Sequence, residues 1–132
     1  MKKQIWIFNH YATNMFIDQS GRHYWFAQYL VKNGYRPTIF CASTIHNSSE
    51  SIEVEKGKYT IKEINNINYV FIKTPAYKGN GRDRLKNMFH FFRNLFRVSR
   101  EYTKKYGDPD VILASSVHPL TLIAGLKIAK KY

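Results

Sequence analysis

The stretch from residue 4 to residue 34 constrains the fold most. Gln4-Ile5-Trp6-Ile7-Phe8-Asn9 is a short apolar run bounded by polar residues, the pattern of a central strand covered on both faces. Residues 10–20 are polar and read as a loop. Residues 22–33 then read as a helix that begins after Ser20-Gly21 and stops at Gly34. Strand, loop and helix in that order make a βα unit. In open parallel sheets ligands sit beyond the carboxyl ends of the strands, so the 10–21 loop is the first place to expect a site.

The rest of the chain repeats and supports that unit. Residues 36–42 read as a second strand, and residues 43–58 as a polar, Ser-rich loop. Residues 59–63 and 67–73 read as two short strands around Asn65-Asn66, a pair suited to a hairpin turn that needs positive φ. Pro75 to Gly81 breaks the chain, and residues 82–106 read as one helix of about 37 Å. Residues 110–114 form a buried-type strand, 115–119 a loop and 120–131 a last helix. Buried strands alternating with helices predict an α/β domain: a mostly parallel sheet with right-handed crossovers, helices on both faces and a β-hairpin insertion. This is half of a doubly wound fold, expected to occupy residues 1–132 as one domain. The last helix is followed by no strand that would cover one sheet edge, so a fragment, or a subunit that docks elsewhere, is expected.

Charge is the unusual number. The chain has 21 Lys and Arg against 9 Asp and Glu, a formal net charge of +12, which biases it toward polyanions or anionic lipid. Its single cysteine, Cys41, ends an apolar run, excludes an internal disulfide and fits a reducing compartment. The apolar run after Met1-Lys2-Lys3 is too short for a signal peptide, and no run approaches the roughly 18 residues of a membrane span, so a cytoplasmic location is expected.

The first loop lacks both G-x-G-x-x-G and G-x-x-x-x-G-K, which argues against a nicotinamide cofactor and against phosphate-loop chemistry; no cofactor is expected. It does end at a helix start where Gly21 permits close approach and where Ser20, Arg22 and His23 can meet a phosphate or a sugar hydroxyl. The competing reading is that Ser20 only caps the helix. His118, in Ser115-Ser116-Val117-His118-Pro119, again lies at the end of a strand and the start of a helix; a lone histidine there also reads as a surface or capping residue. Asp18 is the nearest acid to the first loop. No carboxylate pair, Cys-His pair or metal-ligand spacing stands out, so no metal is expected.

On a helical wheel, Leu85, Met88, Phe89, Phe91, Phe92, Leu95, Phe96, Val98 and Tyr102 of the long helix spread over an arc of about 180°, wider than a sheet-packing stripe needs. Arg82, Lys86, Arg93, Arg97, Arg100 and Lys104 cluster within about 60° beside Phe89 and Phe96. Cations flanking aromatics suit a helix lying on an anionic bilayer, and equally a core helix with a solvated basic face. No recognised nucleic-acid module matches the βα pattern, so nucleic acid is not the expected partner.

Several segments, taken in order, resemble the N-terminal domain of bacterial retaining glycosyltransferases of the two-domain B-type (GT-B) fold, the family that assembles capsule, O-antigen and exopolysaccharide units. They are Ile5-Trp6-Ile7-Phe8-Asn9; Ser20-Gly21-Arg22-His23-Tyr24 with Phe26-Ala27; Leu30-Val31-Lys32-Asn33-Gly34-Tyr35 leading into Thr38-Ile39; Thr74-Pro75-Ala76-Tyr77-Lys78-Gly79-Asn80-Gly81; and Asp110-Val111-Ile112-Leu113-Ala114-Ser115-Ser116 before the Pro119 helix. The resemblance implies a Rossmann-like, acceptor-binding half of a glycosyltransferase. Its acceptor would be a lipid-linked sugar or polysaccharide at the inner face of the plasma membrane. The nucleotide-sugar donor would be held by a C-terminal domain or a partner chain, so this chain alone would be inactive. His118 would lie beside the acceptor or phosphate pocket made by Ser20, Gly21, Arg22 and His23. Two alternatives stand: a membrane-recruiting subunit of a split glycosyltransferase, and a noncatalytic polyanion-binding module.

Overall fold

The computed structural model describes residues 1–46, 48–79 and 81–132; Asn47 of the polar loop and Asn80 of the Pro75–Gly81 break lie outside the described residues. In chain order the elements are β1 (Gln4–Phe8), α1 (Thr13–Asp18), α2 (Arg22–Lys32), β2 (Arg36–Ala42), β3 (Tyr59–Ile64), β4 (Ile67–Ile72), α3 (Arg82–Tyr106), β5 (Val111–Ala114) and α4 (Pro119–Lys131). The strands form one sheet in the order β3-β4-β2-β1-β5. The pairs β1·β2, β2·β4 and β1·β5 are parallel, and only β3·β4 is antiparallel. Asn65 and Asn66 turn that hairpin with φ of 50° and 64°, the left-handed pair its tight connection requires.

Each central strand feeds two cores because its side chains alternate across the sheet. Trp6, Phe8, Phe40, Val70 and Ile72 face α3 and α4, which contribute Phe91, Leu95, Val98, Tyr102, Ala124 and Ile128. Ile5, Ile7, Ile39, Tyr69 and Phe71 face the other way, toward α1 and α2 with Tyr24 and Ala27. Cys41 belongs to this second core, where burial pushes its thiol up to about 12 and leaves it inert. At the end of α2, Gly34 (φ 84°) donates to Val31 O and Tyr35 donates to Leu30 O, the paired bonds of a Schellman stop.

The structure departs from the sequence reading at α1, which lies inside the segment expected to be loop. Six residues carry too little periodicity to be recognised and are too short to be stable as an isolated helix. Tertiary contacts hold them: Thr13 Oγ1 donates to Ala42 O, and the Phe16 ring meets Tyr69 and Phe71 at 5.2 and 5.1 Å. The wide apolar arc of α3 also divides. Phe91, Leu95, Val98 and Tyr102 are buried and Phe92 and Phe96 pack on the core edge, whereas Leu85 and Phe89 are exposed. The six expected cations Arg82, Lys86, Arg93, Arg97, Arg100 and Lys104 are all exposed.

Strand β5 forms an outer edge of the sheet, with Val111 and Leu113 exposed on it and Leu122 and Leu126 exposed on α4. Among the described residues no helix is long and apolar enough to cross a membrane.

Candidate functional site

From β1 the chain builds the sheet in one direction through β2 and β4, then crosses by way of α3 to place β5 on the other side of β1. The strand order therefore reverses between β1 and β5, and beyond their carboxyl ends a crevice is expected. Four segments converge there: Asn9-His10-Tyr11 after β1, Thr44 after β2, Ser115–His118 after β5, and the first turns of α3 with Arg84 and Asn87.

A buried hydrogen-bond chain runs through the convergence, and its proton positions follow from one carbonyl. Asn87 Nδ2 donates to Pro75 O (2.6 Å) and to Thr44 Oγ1 (2.9 Å). A carbonyl only accepts, which identifies the amide nitrogen and leaves Asn87 Oδ1 to face His10 Nε2 at 2.5 Å. His10 must then carry its proton on Nε2. Burial above all lowers its pKa to about 3, with the Arg84 charge acting in the same sense, so the ring is neutral and Nδ1 is a bare acceptor. His118 Nε2 lies 2.8 Å from that atom and must donate. His118, also held below its usual range by burial and then by Arg84, is therefore neutral with its own lone pair on Nδ1. That Nδ1 is buried and has no partner among the described residues; the same is true of Ser116 Oγ in the preceding loop and Thr121 Oγ1 in the first turn of α4. His118 occupies the N-cap position of α4 yet its ring turns inward and makes no cap bond, so neither a surface nor a capping role describes it.

The rings are packed as firmly as they are bonded. His10 stacks between Tyr11 (4.5 Å) and Phe91 (4.6 Å). Arg84 donates to Tyr11 Oη at 3.2 Å and supplies the positive charge of the cluster. Tyr77, whose hydroxyl burial pushes up to about 12, shares a hydrogen bond with His46 Nδ1 at the outer side. Among the described residues no carboxylate joins this network, and no group of His, Cys, Asp and Glu has the geometry to hold a metal ion. Asp18 is exposed at the end of α1.

The sequence-derived quartet separates. His23 is buried and reaches the crevice from the α2 side: Asn9 Nδ2 lies 3.1 Å from its Nε2, and Ser115 Oγ lies 3.1 Å from the same nitrogen. Ser20 and Arg22 are exposed, and α2 has Gly21, not Ser20, at its N-cap, without a side-chain cap bond. Gly21 has φ 107°, and a Cβ there would sit 2.7 Å from Met15 Cγ, so it serves the α1–α2 corner before any ligand.

His10, Arg84, Asn87 and His46 were missed by sequence reasoning. One signal was available: Arg84 and Asn87 extend the buried stripe Phe91, Leu95, Val98, Tyr102 at i, i+3 and i+4 spacing. Polar residues on an otherwise apolar stripe mark the place where a helix passes from core to site.

Chemically, the cluster offers neutral acceptors and hydroxyls in a nearly dry setting, with one guanidinium nearby, which suits orientation of a hydroxyl-bearing or phosphate-bearing ligand. His10 and His118 are only 1% and 6% exposed, so His118 Nδ1 is covered in the arrangement described. The chain is an α/β domain with a five-stranded, mostly parallel sheet that fits a Rossmann-like fold and carries a buried, histidine-rich cluster at its switch point. Comparison with known proteins finds no matching family model and no matching curated protein.

Proposed function

We propose that the chain is the N-terminal, acceptor-binding half of a B-type glycosyltransferase that moves a sugar from a nucleotide-sugar donor to a lipid-linked or polysaccharide acceptor. The observation that carries the reading is the buried switch-point cluster in which Asn87 and His10 hold His118 Nδ1 as an unpaired acceptor. Such an atom can align, or accept a proton from, a ligand hydroxyl. The ordered sequence resemblance supplies the enzyme class. The donor would be held by a second domain or chain, for which the uncovered β5 edge offers a docking margin. Peripheral attachment to the anionic inner face of the plasma membrane is part of the proposal and draws on the exposed cations of α3 and exposed Phe89.

Protein-observed NMR of the isolated, isotope-labelled chain tests this reading, using lipid-diphosphate sugars and free nucleotide sugars as probes. The acceptor class is expected to bind and to broaden the His118 ring signals, and no turnover is expected. Tight binding of nucleotide sugars with no response to acceptors, or sugar transfer by the isolated chain, would overturn the assignment. A noncatalytic polyanion-binding module is the second reading, favoured by the net charge of +12; it predicts binding that tracks ligand charge alone and ignores His118→Phe.

A further inference from the structure

Three of the six cations on the α3 strip also line a groove of the folded chain. Arg93, Arg97 and Arg100, spaced i, i+4 and i+7 on α3, face a groove of about 310 Å³ whose other wall is α4, where Lys127 and Lys131 project from consecutive turns. Arg82, Lys86 and Lys104 do not line it. Its floor is apolar and firm: Ile128 is 3% exposed, and Phe96 and Tyr132 pack against the main core.

The charge in this groove is largely uncompensated. Among the described residues Arg97 alone of the five cations is paired with a carboxylate, Glu101 at 2.9 Å, and Lys131 lies over the Tyr132 ring at 5.3 Å. Like charges gathered by folding onto two facing helices repel one another, and an anion seated among them removes that repulsion. Arginines favour bidentate contact with phosphoryl oxygens, while the lysines add point charges from the opposite wall. The volume falls at the low end for small-ligand sites, and an apolar floor beneath a cationic rim matches a ligand that is part phosphate and part hydrocarbon.

We propose that the α3/α4 groove is a second binding site, taking a phosphoryl or diphosphoryl group between the arginines of α3 and the lysines of α4, with an adjoining apolar portion on Phe96 and Tyr132. The group can be the headgroup of a bilayer lipid or a free phosphorylated compound; the recognition chemistry is the same. The site begins about 9 Å along α3 from Asn87, is centred about 17 Å from Arg84 and Asn87, and uses none of the histidine network, so it stands or falls separately from the acceptor site.

Two probes test it: inorganic pyrophosphate by calorimetry, and sedimentation with phosphatidylcholine vesicles with or without phosphatidylglycerol, both at low salt. The test variant is Lys127→Gln with Lys131→Gln. A charge-matched control is Lys2→Gln with Lys3→Gln, exposed residues outside the groove. Circular dichroism melts check that both variants remain folded. Pyrophosphate affinity is expected to fall about tenfold or more in the groove variant and to stay within about twofold in the control. If retention on phosphatidylglycerol vesicles falls in parallel, the source is the bilayer headgroup; if it is unchanged, the source is a free phosphorylated compound. Equal losses in the two variants, or no pyrophosphate binding by the wild type, would overturn the site.

Discussion

Acid should destabilise this protein through His10, and by a calculable amount. The unfolded ring takes up a proton near 6.5, whereas in the folded chain the same ring refuses one until about pH 3, chiefly because it is buried. Between those values the unfolded state binds more protons than the folded state. Stability contributed by the neutral ring is thus complete above 6.5 and declines as pH falls, by about 1.4 kcal/mol per pH unit until about pH 3. From pH 7.5 to pH 5.0, integration gives a loss of about 2 kcal/mol from this residue alone. His118, His23 and His46 are also held low and add to the acid loss, so the measurement must be a difference. Urea unfolding of wild type and His10→Gln at both pH values provides it. The variant loses the stacking with Phe91 and is weaker at pH 7.5, and the gap between the two proteins should narrow by about 2 kcal/mol at pH 5.0. A gap independent of pH would refute the reasoning, because it would mean that solvent protons reach the ring and that His118 Nδ1 is not held as an acceptor. Asn87→Asp supplies the converse. A carboxylate opposite Nε2 favours the charged ring, which then donates from both nitrogens and forces the His118 proton to Nδ1, an exchange visible in imidazole ¹⁵N shifts.

Gly125 sits where α4 crosses β5, and a Cβ there would lie 2.5 Å from Ala114 Cβ. Overpacking of this kind costs about 1–3 kcal/mol and exceeds the roughly 1 kcal/mol that alanine returns in helix propensity, so Gly125→Ala should lose about 1 kcal/mol on denaturant unfolding. Adding Ala114→Gly should recover the packing share of that loss; no recovery would place the strain elsewhere. On α3, Phe96→Ser should cost about 2 kcal/mol, since its ring packs on Phe92 at 5.2 Å and on the core, whereas exposed Phe89→Ser should leave urea stability nearly unchanged. Equal costs would contradict the division of the α3 arc.

Element identity was largely legible in the sequence because it depends on neighbours along the chain. The apolar run of β1, the Asn65-Asn66 turn, the stop at Gly34 and the length of α3 are each set by local sterics, hydrogen bonding or periodicity, and α4 was read to within one residue of its Pro119 start. The alternation of these elements was enough to imply a parallel sheet with an antiparallel hairpin at one side. Two residues of the candidate site, His118 and His23, could be marked because a strand end followed by a helix start is a local pattern. Their chemistry could not. His118 becomes a defined acceptor only because folding brings it to His10, 108 residues away, and brings His10 to Asn87, 77 residues away. The dryness that keeps both rings neutral comes from Phe91 and the rest of the buried core. Likewise α1 exists through contacts with β2 and β4, and the cations of α3 divide between open surface and groove according to where α4 packs. Propensity and periodicity act over a few residues, whereas burial, tautomer and charge clustering depend on what lies across the fold, and that is decided when the elements pack.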